Sequence, residues 1–369
     1  MKKFFLALAC TMAVCGRWPQ TAMACETTDK VIFGVWPGHL GLIKIFAAEN
    51  ITGEDGVTIE AKYCLDFEMA PFTDISQFDI ALQQGVSDGV FVSTDANSFA
   101  ANRTRSIEVG EGEKGVIVAH LANATYGLYA RKGFELGSGS RIAVARCGWQ
   151  DRELTESLPA TAATEALSAP TLVLLPWLRT EGHRIWCGLT PPADFQGVQL
   201  VPVGTAGKRE AAFADRQNGI DFVVQTIERA TARTLGDDAD LILLAGPEKL
   251  RSFPEGLLVA RASCLSDDAC ADVVWRTVAA IEEAGLALLS GGETVVSRVV
   301  RDYAASAGEK TSIKGGDNEA VAIVLAQYLI AHELPQIGLS RAALLEMIKE
   351  NRWDITPEEL VDPRIAVFD

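Results

Sequence analysis

Short apolar runs alternate with helically spaced stretches along this chain, and no other feature limits its fold so strongly. Lys30 to Trp36 is an apolar run closed by Pro37-Gly38, and Leu40 to Asn50 carries helical spacing at Leu40, Ile43 and Ala47. Val57 to Leu65 alternates Val57, Ile59, Ala61 and Tyr63, which predicts a strand. Ile75 to Gln84 reads as a helix ended by Gly85. Asp88 to Val92 reads as a buried strand running into Ser93-Thr94-Asp95, followed by a helix from Asp95 to Asn102 and a strand from Val116 to His120. Such a rhythm predicts crossover units on a parallel sheet.

The pattern then repeats. Tyr126 to Phe134 reads as a crossing strand, and Glu135 to Ser140 as a Gly/Ser-rich hinge-side turn. Arg141 to Arg146 is a strand, and a helix around Ala160 to Thr180 is expected to break near Pro170 and Pro176. Val198 to Val203 and Ile220 to Gln225 are strands around a helix at Lys208 to Arg216. Leu257 to Arg261 reads as a returning strand. Helices are expected after it at Asp267 to Leu289, Glu293 to Ala307, Asp317 to His332 and Arg341 to Glu350, with a capping box at Thr356 to Glu359. At 369 residues and 48% hydrophobic content, the chain can build two such cores.

The N-terminus has the form of an export address. Lys2 and Lys3 precede an apolar stretch from Phe4 to Gly16, and Ala22-Met23-Ala24 supplies the small residues that a signal peptidase reads. Cleavage is expected after Ala24, releasing a periplasmic protein; Cys25 at the new N-terminus leaves lipidation there as the alternative. The apolar stretch is shorter than the ~20 residues of a membrane span. A net charge of −16 argues against a nucleic-acid partner, which needs clustered Lys and Arg.

Six cysteines follow the address, at 25, 64, 147, 187, 264 and 270, where an oxidising compartment permits pairing. Cys264 and Cys270 flank a short turn and form the best local pair. Cys147 and Cys187 are the next candidates. Cys25 and Cys64 read as harder to pair, at opposite ends of neighbouring predicted strands. No cysteine spacing suits a metal knuckle.

Catalytic signatures are sparse. His332-Glu333 lacks the second His of a zinc-protease helix, and no phosphate-binding loop is found. Polar and aromatic residues gather instead at predicted strand ends, where open α/β sheets bind ligands. These are Trp36 and His39; Ser93, Thr94 and Asp95; Asn123 and Thr125; Gly148, Trp149 and Gln150; and Gln225, Thr226 and Glu228. Bland readings stand beside each: Trp36 under a helix, Ser93 and Asp95 as caps, Gln225 and Thr226 serving the backbone.

The segments 31–36, ALQQGVSDGVFVSTDANSF at 81–99, AFADRQNGIDFVVQTIERA at 212–230 and FPEGLLVARASCLSDDACADVV at 253–274 carry a family resemblance. The chain resembles a periplasmic solute-binding protein of an ABC importer, in the nitrate/sulfonate/taurine and thiamine-pyrimidine-precursor group. Residues 182–197 look like an insertion, and the cysteine-rich motif of the pyrimidine synthases is missing. The resemblance implies an α/β, two-lobed type II periplasmic-binding fold, each lobe a mostly parallel sheet flanked by helices, with a helical C-terminal extension. Its implied division is a signal peptide at 1–24, lobe 1 at 25–128 plus 253–369, and lobe 2 at 129–252.

It further implies a monomer that closes around a small-molecule solute, docks on an inner-membrane ABC permease, uses no cofactor and performs no covalent chemistry. Helix ends with Arg146 or Arg152 point to an anionic group on the ligand, and Trp36 and Trp149 to a flat portion; Asp95 and Glu228 fit an amine instead. A ligand-sensing module for a membrane kinase and an exported enzyme on the same fold stand as alternatives.

Overall fold

The computed structural model describes residues 25, 27–36, 39–53, 55–110, 112–123, 126–147, 151–154, 169–235, 239–250, 254–308, 313–334, 339–341, 344–345, 347–348, 353–365 and 367–368. The expected leader at 1–24 lies outside them, as do Thr125, Gly148, Trp149 and Gln150.

The chain enters as β1 (Asp29–Val35), a 3-10 turn at Leu40–Leu42 and helix α1 (Ile43–Asn50). The next segment departs from the strand expected at Val57 to Leu65. The Thr58 side chain accepts the Ala61 N–H and starts a short helix, α2 (Ile59–Lys62), and Cys64 then turns the chain through a left-handed φ of 58°. The strand, β2, comes only afterwards at Leu65–Pro71. Helix α3 (Ile75–Gln84) keeps its expected bounds because Asp74 caps its start and Gly85, at φ 72°, ends it. Strand β3 (Val90–Asp95), helix α4 (Ala96–Val109) and β4 (Gly115–Asn123) follow.

The second unit contains β5 (Tyr126–Arg131), β6 (Arg141–Val144), β7 (Arg152–Glu153), helix α5 (Ala169–Thr180), β8 (Ile185–Cys187), β9 (Val198–Pro202), α6 (Ala206–Ala214), β10 (Phe222–Thr226), α7 (Ile227–Thr234) and β11 (Leu241–Ala245). Helix α5 opens on Ala169-Pro170 and runs through Pro176, so neither proline breaks its described part. The expected insertion contributes β8, which pairs with β9. The chain then returns as β12 (Pro254–Arg261), followed by α8 (Ala262–Leu265), α9 (Asp268–Ala307), bent at Gly292, and α10 (Glu319–Tyr328).

Two sheets organise these elements. One has the order β2-β1-β3-β12-β4, the other β11-β5-β10-β6-β9-β8-β7. β1 runs parallel to β2 and β3, and β10, β6, β9 and β8 run parallel in sequence. The strands next to the crossings, β12 and β5, enter antiparallel.

One face of the first sheet packs with α1, α9 and α10 around Phe33, Ile45 and Leu325. Its other face packs against the C-terminal segment through Leu344, Trp353 and Leu360. Ile227, at the start of α7, belongs to the first of these cores, so α7 joins the second sheet to the first unit's helices.

Three disulfides close the described structure: Cys264–Cys270, Cys147–Cys187 and Cys25–Cys64. The last corrects the expectation. Because β1 and β2 are parallel and Asp29 faces Leu65, the residues just before each strand lie at the same end. Cys25 and Cys64 sit there with Cα atoms 5.5 Å apart.

Candidate functional site

A cavity of about 210 Å³ opens where β1 and β3 end. Trp36, His39, Thr94 and Asp95 line it with Gly41, Leu42, Leu121 and Gly256. Each polar member is held by its local fold. Gly34 leaves room for aromatic rings against β1: a Cβ there would stand 2.8 Å from Phe91 and 3.0 Å from both Phe72 and Phe78. Phe78 in turn supports the Trp36 ring, with centroids 5.3 Å apart. The His39 Nδ1 accepts the Gly41 N–H at 3.1 Å, so the ring caps the turn at Leu40–Leu42 and carries its proton on Nε2. The Thr94 hydroxyl donates to the Gly34 carbonyl at 2.7 Å, tying the end of β3 to β1. Asp95 lies buried at the entry to α4, where the helix dipole favours a carboxylate.

The other strand-end residues divide into three groups. Ser93 is fully buried and its Oγ accepts the Asp95 N–H at 3.4 Å, which places it behind the cavity wall. Asn123 ends β4 and donates its backbone N–H to Glu333 Oε2 at 2.9 Å. Gln225 is taken up within the second unit. Its Oε1 accepts from Arg209 Nη2 at 3.0 Å and its Nε2 donates to Glu210 Oε1 at 2.9 Å. Thr226 is buried at the start of α7 and does not line the cavity.

Glu228 links the two units. Its carboxylate, on the first turn of α7, is fully buried and brings Oε1 to 4.0 Å from His39 Nε2. Its carbonyl accepts the Lys314 N–H at 3.1 Å, which anchors α7 to the C-terminal helical part.

A buried polar network behind the cavity escaped sequence reading. Lys44 Nζ donates to the Glu333 carbonyl at 3.4 Å across 289 positions of chain. The Tyr328 hydroxyl donates to Glu333 Oε1 at 2.8 Å. Burial lowers the Lys44 pKa and raises that of Glu333. His120, in the middle of β4, is pushed down to about 4 by its burial and by the Lys44 charge. Nothing local in the sequence signals this group; the apolar positions between its members suggest only core.

No family model matches the chain, and no curated protein does either. Solved structures do share its fold. The periplasmic aliphatic sulphonate binding protein SsuA of Escherichia coli superposes with a TM-score of 0.52 at 15% identity, over 94% of each chain. An ABC transporter structure from Parabacteroides distasonis gives 0.52 at 9% identity, over 92% of this chain and 100% of the other. The ligand-binding component of an ABC-type import system from Staphylococcus aureus, solved with zinc bound, gives 0.52 at 13% identity, over 92% and 97%. The overlap spans both sheets and the helical extension, and it gives the chain the two-lobed periplasmic-binding fold expected from its sequence.

Proposed function

We propose that this protein is the solute-binding component of an ABC importer. It captures a small organic or anionic solute between its lobes and delivers it to an inner-membrane permease. One observation carries the reading: on a fold shared with binding proteins, strand-end residues of the first sheet line a cavity, and Glu228 reaches the same wall from the second. The cavity is smaller than the roughly 300–1,000 Å³ of drug-sized sites, which suits a small solute.

In this reading Trp36, His39, Thr94 and Asp95 form the ligand-binding wall, with Glu228 behind His39, and the lobes close around the solute. The division is lobe 1 at 25–128 plus 253–369 and lobe 2 at 129–252. The protein acts as a monomer in the periplasm after cleavage behind Ala24. Three disulfides fit an oxidising compartment. A Cys25 sulfur bonded to Cys64 has no thiol for a lipid, which favours release over anchoring.

A thermal-shift screen over sulfonates, carboxylates, nitrate, amines and pyrimidines tests the proposal. A solute that raises the melting temperature and is recovered unchanged supports it. Absence of any stabilising solute, together with consumption of one of them, contradicts it.

A further inference from the structure

Resting on the two-lobed solute-binding reading, we infer that Glu333 is a positioning residue of the hinge: it fixes the place where the chain passes between the lobes and ties that place to the wall of the cavity. Strand β4 ends at Asn123 and β5 begins at Tyr126, so the passage from the first sheet to the second is short. In the antiparallel pairing of β12 with β4, Asn123 faces Pro254, the first residue of β12, where the chain returns. Both crossings therefore leave the first sheet side by side. Hinges are a few loop or element-terminal residues that absorb the change in φ and ψ, and Asn123 is placed as one.

Glu333 grips this point from a distant part of the sequence. It closes the π-helical turn Leu329–Glu333, which follows α10, and it is 2% exposed. Single π-helical turns often occur at functional positions. The Glu333 Oε2 accepts the Asn123 backbone N–H at 2.9 Å, and its Oε1 accepts the Tyr328 hydroxyl at 2.8 Å. Its carbonyl accepts from Lys44 Nζ at 3.4 Å. Lys44 lies on α1, just past Leu42 of the cavity wall. Strand β4, helix α1 and the C-terminal helical part thus meet on one residue. A buried carboxyl group is unfavourable unless its oxygens are bonded, and an apolar side chain fills the same space without that requirement. What the carboxyl group adds is direction. Its bond holds the last N–H of β4 to the helical part, so the crossing bends from a fixed point. The same helical part holds the second unit at Lys314, whose N–H donates to the Glu228 carbonyl at 3.1 Å.

Pulsed dipolar spectroscopy on the full chain, with no solute added, tests the inference. Nitroxides linked through a keto amino acid placed at Glu108 on α4 and Lys208 on α6, both exposed, report the distance between the lobes and leave the cysteines untouched. Glu333→Ala should widen or shift the distance distribution relative to wild type. Glu333→Gln, whose amide oxygen still accepts the Asn123 N–H, should restore it. A merely structural loss would lower the melting temperature and leave the distribution of the folded molecules unchanged. Circular dichroism checks folding. If Glu333→Ala does not fold, Tyr328→Phe takes its place, since it removes one of the two carboxyl bonds and should also widen the distribution. A wild-type distribution in the folded Glu333→Ala, or in Tyr328→Phe where that variant stands in, overturns the inference. So does a distribution as altered in Glu333→Gln as in Glu333→Ala. Because no solute enters the measurement, neither result bears on the solute-binding reading, which the thermal-shift screen decides separately.

Discussion

The two sheets present polar residues at equivalent places and use them differently. At the end of β3, Thr94 and Asp95 face a cavity, with one hydroxyl bond to Gly34 fixing the wall. At the end of β10, Gln225 is buried and spends its amide on Arg209 and Glu210. Arg209 also donates to the Val224 carbonyl at 2.9 Å and the Gly204 carbonyl at 3.1 Å, so the whole cluster braces α6 against β10. A strand end in an open sheet is thus a place where a ligand site can form, and the accounting of hydrogen-bond partners decides whether one does. The first unit sets Thr94 and Asp95 at a cavity; the second buries Gln225 in a brace of its own.

The largest expected effects test how each unit is held together. The Cys25–Cys64 and Cys147–Cys187 bridges close 39 and 40 positions of chain, one in each unit. Replacing either pair by serines should cost about 4 kcal/mol in urea unfolding, against about 2 kcal/mol for Cys264–Cys270, which spans 6. Equal losses for all three would show that loop closure does not govern their contributions.

A pH effect follows in size and belongs to the first unit alone. His120 is depressed from 6.5 to about 4, so the folded state resists a proton that the unfolded chain takes up. Its contribution is present above pH 6.5 and is lost as pH falls toward 4, a change of about 3 kcal/mol. His120→Gln should flatten the stability profile in that window, and a profile with the wild-type slope would remove His120 as the cause.

Gln225→Ala sharpens the comparison from the other side. It removes one acceptor, Gln225 Oε1, from the buried Arg209 guanidinium and should cost about 2 kcal/mol of stability while leaving solute affinity within about twofold. A stable variant with lost affinity would move Gln225 to the ligand wall.

What the sequence revealed follows from which forces act locally. Helix α3 was legible to the residue because its cap, Asp74, and its terminator, Gly85, are adjacent to it. The region Val57 to Leu65 was not. Its alternation suits a strand, yet the Thr58 cap and the left-handed Cys64 depend on a turn that periodicity does not encode. That misreading also hid the Cys25–Cys64 pair, since it put Cys64 at the wrong end of its strand. Strand β11 went unseen because Leu241–Ala245 is a short apolar run with Ile242 and Leu243 exposed, a pattern without a buried face to read.

The strand-end rule named Trp36, His39, Thr94 and Asp95, which line one cavity because β1 and β3 are adjacent and parallel. It could not separate them from Gln225, whose partners lie 15 and 16 positions away on a helix. Gly41, Leu42, Leu121 and Gly256 line the same cavity but carry no chemistry that a sequence displays. The Lys44–Glu333 contact joins distant parts of the chain, and only the fold reveals it.

The most direct measurement is the affinity of Trp36→Ala and Gln225→Ala, side by side, for the solute that most stabilises the wild type. If the first sheet's strand ends form the ligand wall, calorimetry will show Trp36→Ala binding about tenfold or more weakly, with Gln225→Ala close to wild type. Unchanged affinity in Trp36→Ala together with a loss in Gln225→Ala would place the site on the second sheet and contradict the account.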